Sequence, residues 1–222
     1  MACSSVTEIS ISADNVPVTN EFENQNKIDS IVAPFRTELN KEMLEVMAIA
    51  GNDFTKDRPN GSLNNWAASA TLNSQKAYLN DVPAFCLLNV GGLRNSINKG
   101  EVTLSDLFKL MPFDNEVVIV DLPISSIGKI EYYLKQSGGE PIAGAKVING
   151  KLIIDGMEEV ENLTHIRVVT SDYLMNGGDK MTFFEDRINE FYPGVLLRDA
   201  LIEQAKAQQT LIWDNELRIN FN

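Results

Sequence analysis

The sequence predicts a single domain of the α+β class, in which a mixed sheet with hairpins packs against helices. Helical patterns precede, interrupt and follow a group of short strand-like segments. Two of those segments are joined by Asn149-Gly150, a pair typical of a tight hairpin turn. Hydrophobic residues make up 44% and charged residues 23% of the 222, as in ordinary globular proteins, and this length suffices for one full core.

Residues 1–26 are predicted to form a flexible tether, because they carry few large apolar side chains, and residues 27–222 to form the folded domain. Cys3, in MACSS, follows a small residue and precedes two serines, which is typical of the end of a bacterial lipoprotein signal. We therefore expect an exported bacterial lipoprotein, periplasmic or at the cell surface, whose contact with the membrane is a lipid anchor at Cys3. An accidental terminal cysteine is the alternative.

The helical segments are predicted from apolar periodicity. The first begins at Lys27 and closes at Gly51, with apolar residues at three- and four-residue steps. The loop NDFTKDRPNG then precedes a second helix carrying Leu63, Trp66, Ala67 and Ala70. A last helix is predicted over about 195–208.

The middle of the chain alternates strands with short helices. AFCLLNV is predicted to be a buried strand, in which Cys86 serves as a small hydrophobe. TLSDLFKLM is predicted to be a helix capped by Thr103 and Asp106, and EVVIVDLP a strand. Ser125-Ser126 is predicted to cap a helix that runs to about Lys135.

The strands of the second half include a clear hairpin. AKVINGKLIID supplies its two arms, and HIRVVTS is a further strand that leads into DYLMNGGDK. A closing strand is predicted over about 217–221.

The charge balance argues against polymeric partners. The 19 basic and 31 acidic residues give a net charge of −12, which repels nucleic-acid backbones and anionic lipid surfaces. A small anion can still bind beside a local positive group.

No catalytic or metal-binding residue stands out in the sequence. The chain has one histidine, His165, whose place on a predicted strand favours a structural role. HExxH, CxxC and lysine-bearing phosphate-loop motifs do not occur. We expect no catalytic residue, bound metal or cofactor in this chain.

Two glycine-containing turns follow predicted strands and are the candidate binding elements. In NVGGLR, Asn89 ends a strand, Gly91-Gly92 permits a sharp turn or close approach of a ligand, and Arg94 offers a planar cation suited to phosphate. In NGGD, Asp179 offers an acceptor for hydroxyl groups. Each turn has an aromatic nearby, Phe113 and Tyr173. The alternative is that both are plain turns.

These motifs resemble a known family. NVGGLRNSINKGEVTLSDLFKLMPFDNEVVIVDL resembles one signature of the C-terminal domain of 5'-nucleotidases, N-x-G-G-[IL]-R followed by I-x-x-G-x-[IV]-T and P-F-x-N. VVTSDYLMNGGDKMTFF resembles the second, an aromatic six residues before the aspartate of G-G-D. In that family this domain grips the nucleoside of the substrate, while a separate N-terminal metallophosphatase domain hydrolyses the phosphate ester with two metal ions.

The resemblance assigns roles to matching residues. Phe113 and Tyr173 match the two aromatics that sandwich the base, and Asn115 matches the polar neighbour of the first. Asp179 matches the acceptor of ribose hydroxyls. Stacking of a base on an aromatic contributes about 1–3 kcal/mol in comparable contacts.

The remaining matches belong to the first turn. Arg94 matches the arginine that contacts phosphate, and Asn89 and the Gly91 backbone match positions that approach the base or ribose.

The sequence departs from the family pattern at four places. Tyr173 replaces the commoner phenylalanine, and its ring still stacks. The family's further arginines before the second helix are not in register in FTKDRPNGSL, where Lys56 and Arg58 are the candidate substitutes. Lys180 replaces a usual glycine after G-G-D. The metallophosphatase motifs have no counterpart in these 222 residues.

Three hypotheses follow. The first is a nucleoside- or nucleotide-recognition chain that positions substrate for a separately encoded metallophosphatase, which would hold the divalent metals. The second is a stand-alone exported protein that binds nucleosides or nucleotides without catalysis. The third is a remnant whose motifs now serve folding.

Overall fold

The computed structural model describes residues 13, 15, 26–79, 82–159 and 162–222. Cys3 and nearly all of the predicted tether lie outside the described residues. The chain divides into two compact units, one ending at Asn40 and one comprising 41–222. Most of helix α1 (Asn26–Met43) belongs to the first, and the remaining elements form the second.

The predicted first helix is too long at its C-terminal end. Helix α1 stops at Met43, and strand β1 (Val46–Ala50) follows. The apolar residues of the strand fit a helical pattern by coincidence, since Met47, Ala48 and Ala50 pack into a hydrophobic core cluster from a strand instead. Strand β1 pairs antiparallel with β3 (Gly100–Thr103), whose residues lie at least 50 positions from their partners along the chain.

Helices and strands alternate through the second unit much as predicted. Helix α2 (Ser62–Ser74), β2 (Ala84–Leu87), helix α3 (Leu104–Leu110), β4 (Val117–Pro123) and helix α4 (Ile127–Ser137) form its first half. Strands β5 (Ile142–Ala143), β6 (Ala145–Ile148), β7 (Lys151–Ile154) and β8 (His165–Ser171) follow. Helix α5 (Asp172–Met175), β9 (Asn189–Phe191) and helix α6 (Leu197–Gln208) complete it.

Five strands form the central sheet in the order β5-β2-β8-β4-β9. Strands β2 and β8 run parallel, whereas every other pairing is antiparallel, so the sheet is mixed as predicted. Side chains alternate between its faces: Cys86 packs toward α2 and α6, whereas Phe85 and Leu87 pack toward α4 and the β6–β7 hairpin. The sheet is therefore buried on both faces, and the fold class is confirmed.

Local signals account for most turns and caps. Asn149 and Gly150 both take positive φ, 51° and 75°, as a tight hairpin turn requires. The Thr103 side chain accepts from Asp106 N while the Asp106 carboxylate accepts from Thr103 N, which is the predicted capping box of α3. Ser126 precedes α4 as predicted, but its hydroxyl donates to Asp186 instead of capping the helix.

The predicted closing strand is wrong in extent. It makes one parallel bridge, Val147 to Ile219, and forms no regular strand. The side chain of Asn60 hydrogen-bonds to both backbone groups of Ile219. Its Nδ2 donates to Ile219 O at 2.9 Å, and its Oδ1 accepts from Ile219 N at 2.8 Å. Those groups are thus held by a side chain and not by a neighbouring strand.

The sheet brings three distant segments to one edge. Because β2 and β8 are parallel, the turns that follow them lie side by side. Strand β4 runs the other way, with Val117 opposite Ser171, so the segment preceding it reaches the same edge. No described helix is long and apolar enough to cross a bilayer.

Candidate functional site

A cleft of about 310 Å³ opens at this edge of the sheet. It is formed by the turn after β2, the segment between α3 and β4, and the α5 region after β8. All seven residues predicted as binding residues line it, together with Gly92 of the first turn: Asn89, Gly91, Gly92, Arg94, Phe113, Asn115, Tyr173 and Asp179. Motifs almost ninety positions apart therefore form one pocket.

The first turn is a short 3-10 segment, Val90–Gly92, closed by a bond from Gly92 N to Asn89 O. Neither glycine of the pair takes a positive φ. A Cβ at Gly92 would instead lie 2.6 Å from Asn89 Oδ1. Glycine is needed here because the Asn89 side chain folds over the turn and fills the space that a side chain would occupy.

The second turn needs glycine for two reasons. Gly177 takes φ +88°, a conformation that residues with side chains rarely adopt. A Cβ at Gly178 would lie 2.5 Å from the Tyr173 ring. The ring is therefore supported by bare backbone, which holds it in position at the side of the cleft.

Asp179 joins the two turns. Its Oδ2 accepts from the Asn89 amide at 2.6 Å, and its Oδ1 accepts from the Tyr173 hydroxyl at 3.0 Å. The backbone of Asp179 itself takes φ 50°, which lies in the left-handed region. Each carboxylate oxygen can accept a further hydrogen bond, so the two bonds orient the carboxylate and leave it able to accept from a ligand.

The two aromatics present partly open faces, with 40% of Phe113 and 47% of Tyr173 exposed. Large aromatic faces left open in a cleft are suited to stacking on a flat ring. The guanidinium of Arg94 lies 5.9 Å from the centroid of the Phe113 ring.

The polar groups around Phe113 are available to a ligand. Within the described residues Arg94 has no ion-pair partner, and its side chain makes one hydrogen bond, a long one of 3.3 Å to Gly91 O. The side-chain amide of Asn115 has no hydrogen-bond partner in the described part of the chain. The cleft thus combines two aromatic faces, one carboxylate, one unpaired guanidinium and one free amide.

The chain is similar to known proteins in part of its sequence and in its fold. Residues 42–123 match the family model of the 5'-nucleotidase C-terminal domain. The fold is similar to that of a 5'-nucleotidase precursor from Thermus thermophilus, with a TM-score of 0.69 and 19% identity over 87% of this chain and 43% of that one. The chain therefore resembles the 5'-nucleotidase C-terminal domain in sequence over residues 42–123 and in fold over most of its length. The Haemophilus influenzae NAD nucleotidase shares the fold, with a TM-score of 0.62 and 18% identity over 89% of this chain and 41% of that one.

Curated relatives are matched over short stretches. An apyrase of Tabanus yao is 28% identical over 160 residues, covering 60% of this chain and 29% of that protein. Protein UshA of Yersinia enterocolitica is 32% identical over 72 residues, covering 32% of this chain and 13% of that protein. The chain therefore spans less than a third of the curated relatives that it matches.

Lys56 and Arg58 do not take the place of the family's further arginines at the cleft. Lys56 Nζ donates to the carbonyls of Leu93 and Arg94, at 2.7 and 3.3 Å. Neither Lys56 nor Arg58 lines the cleft. Lys56 instead fixes the backbone from which the Arg94 side chain extends.

Arg58 belongs to a buried support behind the first turn. Its guanidinium pairs with Glu140 at 2.6 Å, and the other Glu140 oxygen accepts from Val90 N at 2.7 Å. Burial raises the pKa of Glu140, although the bonds from Val90 and Arg58 oppose that rise. Glu140 was missed by the sequence reasoning. Its position after Gly138-Gly139 was the available signal, since a carboxylate between glycines and a proline suggests a specific backbone partner.

Cys86 is a buried structural residue. Cys86 is free and fully buried, and burial raises the pKa of its thiol well above the ordinary value. Among the described residues, no three His, Cys, Asp or Glu side chains cluster closely enough to hold a metal ion.

Proposed function

We propose that the cleft binds a nucleoside or 5'-nucleotide. The base stacks between Phe113 and Tyr173, the ribose hydroxyls donate to Asp179, and the 5'-phosphate pairs with Arg94. Asn115 hydrogen-bonds the edge of the base. The observation that carries the proposal is the bond between Asn89 and Asp179, since it unites the two family signatures in one cleft lined by all the predicted residues.

The proposed role is to present this substrate for hydrolysis of its phosphate ester. The hydrolytic chemistry, with divalent metal ions, is assigned to a metallophosphatase that works with this domain, because the described residues offer no cluster of metal ligands. The activities of the matched relatives are proposals here, since each relative is much longer than the matched stretch.

Calorimetry with adenosine, 5'-AMP and a nucleotide sugar tests the binding. Adenosine is expected to bind, and Phe113→Ala or Tyr173→Ala should weaken it by about 1–3 kcal/mol through lost stacking. Tyr192→Ala is a matched control, because Tyr192 is 41% exposed and does not line the cleft. The proposal would be rejected if none of the three compounds binds at millimolar concentration and Phe113→Ala gives the same calorimetric result as the unsubstituted protein. That outcome would favour a remnant whose motifs serve folding.

Mixing the protein with candidate metallophosphatase chains tests the presentation of substrate. Under the proposal, the mixture hydrolyses 5'-AMP faster than the phosphatase alone, and Asp179→Ala abolishes the gain. Nucleoside binding without any association or gain in hydrolysis would support the second candidate, a stand-alone nucleoside-binding protein. That candidate is favoured by the completeness of the binding cleft within this one domain.

Export to the periplasm or cell surface is also proposed, with MACSS as its support. Fractionation of the native cells, with mass spectrometry of the N-terminal peptide, tests it. A diacylglycerol-modified Cys3 is the expected result, and recovery of the unmodified peptide from the cytosol would reject it.

A further inference from the structure

The two aromatic rings of the cleft are held in different ways. Tyr173 is fixed through its own side chain, since its hydroxyl donates to Asp179 at 3.0 Å and its ring lies against the backbone of Gly178. The side chain of Phe113 has no hydrogen-bonding group. Burial does not fix it either, because residues 112–114 are all exposed. The orientation of the Phe113 ring therefore depends on how its backbone is held.

Helix α6 begins beside this segment. The backbone N–H of Leu197 donates to Asn115 O at 2.8 Å. The guanidinium of Arg198 reaches the two preceding residues. Its Nη2 donates to the Asp114 carboxylate at 2.7 Å, and its Nη1 donates to Phe113 O at 3.4 Å. Three consecutive residues, beginning with the one that carries the ring, are thus bonded to the first two residues of one helix.

The guanidinium of Arg198 is itself well anchored. It lies 4.4 Å from the centroid of the Phe108 ring on α3, within the range of a cation–π contact. The side chain of Arg198 is 11% exposed, whereas that of Asp114 is 80% exposed. The arginine is therefore the fixed partner of this ion pair, and its bonds hold the exposed segment in place.

The buried cation has an energetic cost. Nε of Arg198 is buried and has no hydrogen-bond partner within the described residues. The Oδ1 atom of Asp199 lies 3.9 Å from it, which is too far for a hydrogen bond. A buried donor that is left unpaired lowers stability, so its retention calls for an explanation other than stability. The hold that this side chain has on the Phe113 segment provides one.

We infer that Arg198 is a positioning residue, which fixes the Phe113 ring in the orientation that stacking requires. The inference rests on the proposed function, in which the base stacks between Phe113 and Tyr173. Arg198 does not line the cleft, so it acts through the backbone of Phe113 and the side chain of Asp114 and not on the ligand. Its bonds order the ring before a ligand arrives, and the ordering then takes no free energy from binding.

Calorimetry with adenosine tests the inference in Arg198→Met, which keeps a long apolar side chain beside Phe108 and removes both bonds. The affinity should fall about two- to tenfold, as expected when a side chain must be ordered on binding. Asp114→Ala should give a similar loss, because it removes the shorter of the two bonds. Adenosine carries no charge, so the altered charges have no Coulomb interaction with a ligand charge.

A double-mutant cycle separates positioning from a general structural role. In the Phe113→Ala background, Arg198→Met should cause no further loss of affinity, because the ring to be positioned is absent. Proton NMR gives a second readout, since the upfield ring-current shift of the adenine protons at saturation should decrease in Arg198→Met.

Arg218→Met is the matched control. The side chain of Arg218 is also 11% exposed and pairs with a carboxylate, that of Asp214, but it does not line the cleft. This variant should keep both the affinity for adenosine and the ring-current shift. Circular dichroism checks the fold of every variant, and Asp114→Ala decides the question if Arg198→Met does not fold, because Asp114 lies at the surface.

Unchanged affinity in both Arg198→Met and Asp114→Ala would overturn the inference and leave the proposed function standing. The inference would also be overturned if the losses add in full in the Phe113→Ala background, or if Arg218→Met weakens adenosine as much as Arg198→Met does. Failure of adenosine to bind the unsubstituted protein would reject both the inference and the proposed function.

Discussion

The side-chain amide of Asn89 donates to the carboxylate of Asp179 across 2.6 Å, although 90 positions separate the two residues in the chain. This bond connects the turn after β2 to the turn after α5, so the two turns form one continuous wall of the cleft. It orients an acceptor that is exposed to the cleft and whose other oxygen is held by Tyr173. The arrangement resembles a preorganised binding group, since the carboxylate needs no rotation to accept from a ligand.

Asp179→Ala is expected to weaken adenosine binding by about 1.5–3 kcal/mol, the usual range for hydrogen bonds to a charged group. The loss should depend on the ribose hydroxyls. Calorimetry should therefore show that 2',3'-dideoxyadenosine binds the unsubstituted and Asp179→Ala proteins with equal affinity. If the dideoxy compound loses as much affinity as adenosine does, Asp179 acts by holding Tyr173 and not by accepting from the ribose.

Gly178→Ala is expected to destabilise the fold by about 1–3 kcal/mol, because the added methyl group overlaps the Tyr173 ring. Urea denaturation measures the change. Gly51→Ala is the control, since a Cβ at Gly51 meets no atom within 4 Å. The double variant Gly178→Ala with Tyr173→Ala should recover most of the lost stability, and failure to recover it would place the clash elsewhere.

Arg94→Ala is expected to weaken 5'-AMP by about 1.5–3 kcal/mol and to leave adenosine unchanged, because the guanidinium is proposed to bond the phosphate alone. The affinity of Arg94→Lys for 5'-AMP should lie between those of the unsubstituted protein and Arg94→Ala, since lysine keeps the charge but lacks the planar guanidinium. Equal losses for adenosine and 5'-AMP would show that Arg94 mainly supports the Phe113 ring, over which its guanidinium lies.

Arg58→Ala is expected to make stability depend more strongly on pH through Glu140. Burial raises the pKa of this carboxyl above its ordinary value of 4.5, so the folded state binds the proton more tightly than the unfolded state. The contribution of the group is then fully present below about pH 4.5 and is lost as the pH rises through the folded-state pKa. Arg58 lowers the folded-state pKa of Glu140, so this pKa rises further when Arg58 is removed. More stability is then lost as the pH rises.

Urea denaturation at about pH 4 and about pH 7 measures this effect, and Arg58→Ala should cost about 1–3 kcal/mol more at the higher pH. Adding Glu140→Gln should abolish the difference between the two pH values. Arg187→Ala is the control, since its pair with Glu190 lies at the surface. A cost independent of pH would mean that Arg58 acts mainly through Gly139, to whose carbonyl its Nε donates.

Local interactions explain why so much of the secondary structure was predictable. The capping box of α3 and the Asn149-Gly150 turn depend on residues within a few positions of one another, so their signals are complete in the sequence. Strand β1 was predicted as helix for the opposite reason. Five residues cannot specify a strand whose partner, β3, is distant, and the consecutive buried residues Met47 and Ala48, next to a shift in pairing register, break the alternation typical of a strand.

The sequence by itself predicted which residues line the cleft, because the aromatics, Arg94 and Asp179 lie in two recognisable signatures. It did not determine the roles of Lys56, Arg58 and Glu140. A charged residue near a motif has the same sequence signal whether its side chain faces a ligand or another protein group. Only the tertiary structure decided that the signatures meet. Parallel pairing of β2 with β8, and antiparallel pairing of β8 with β4, bring three chain segments to one edge of the sheet, and this pairing depends on contacts between residues far apart in sequence.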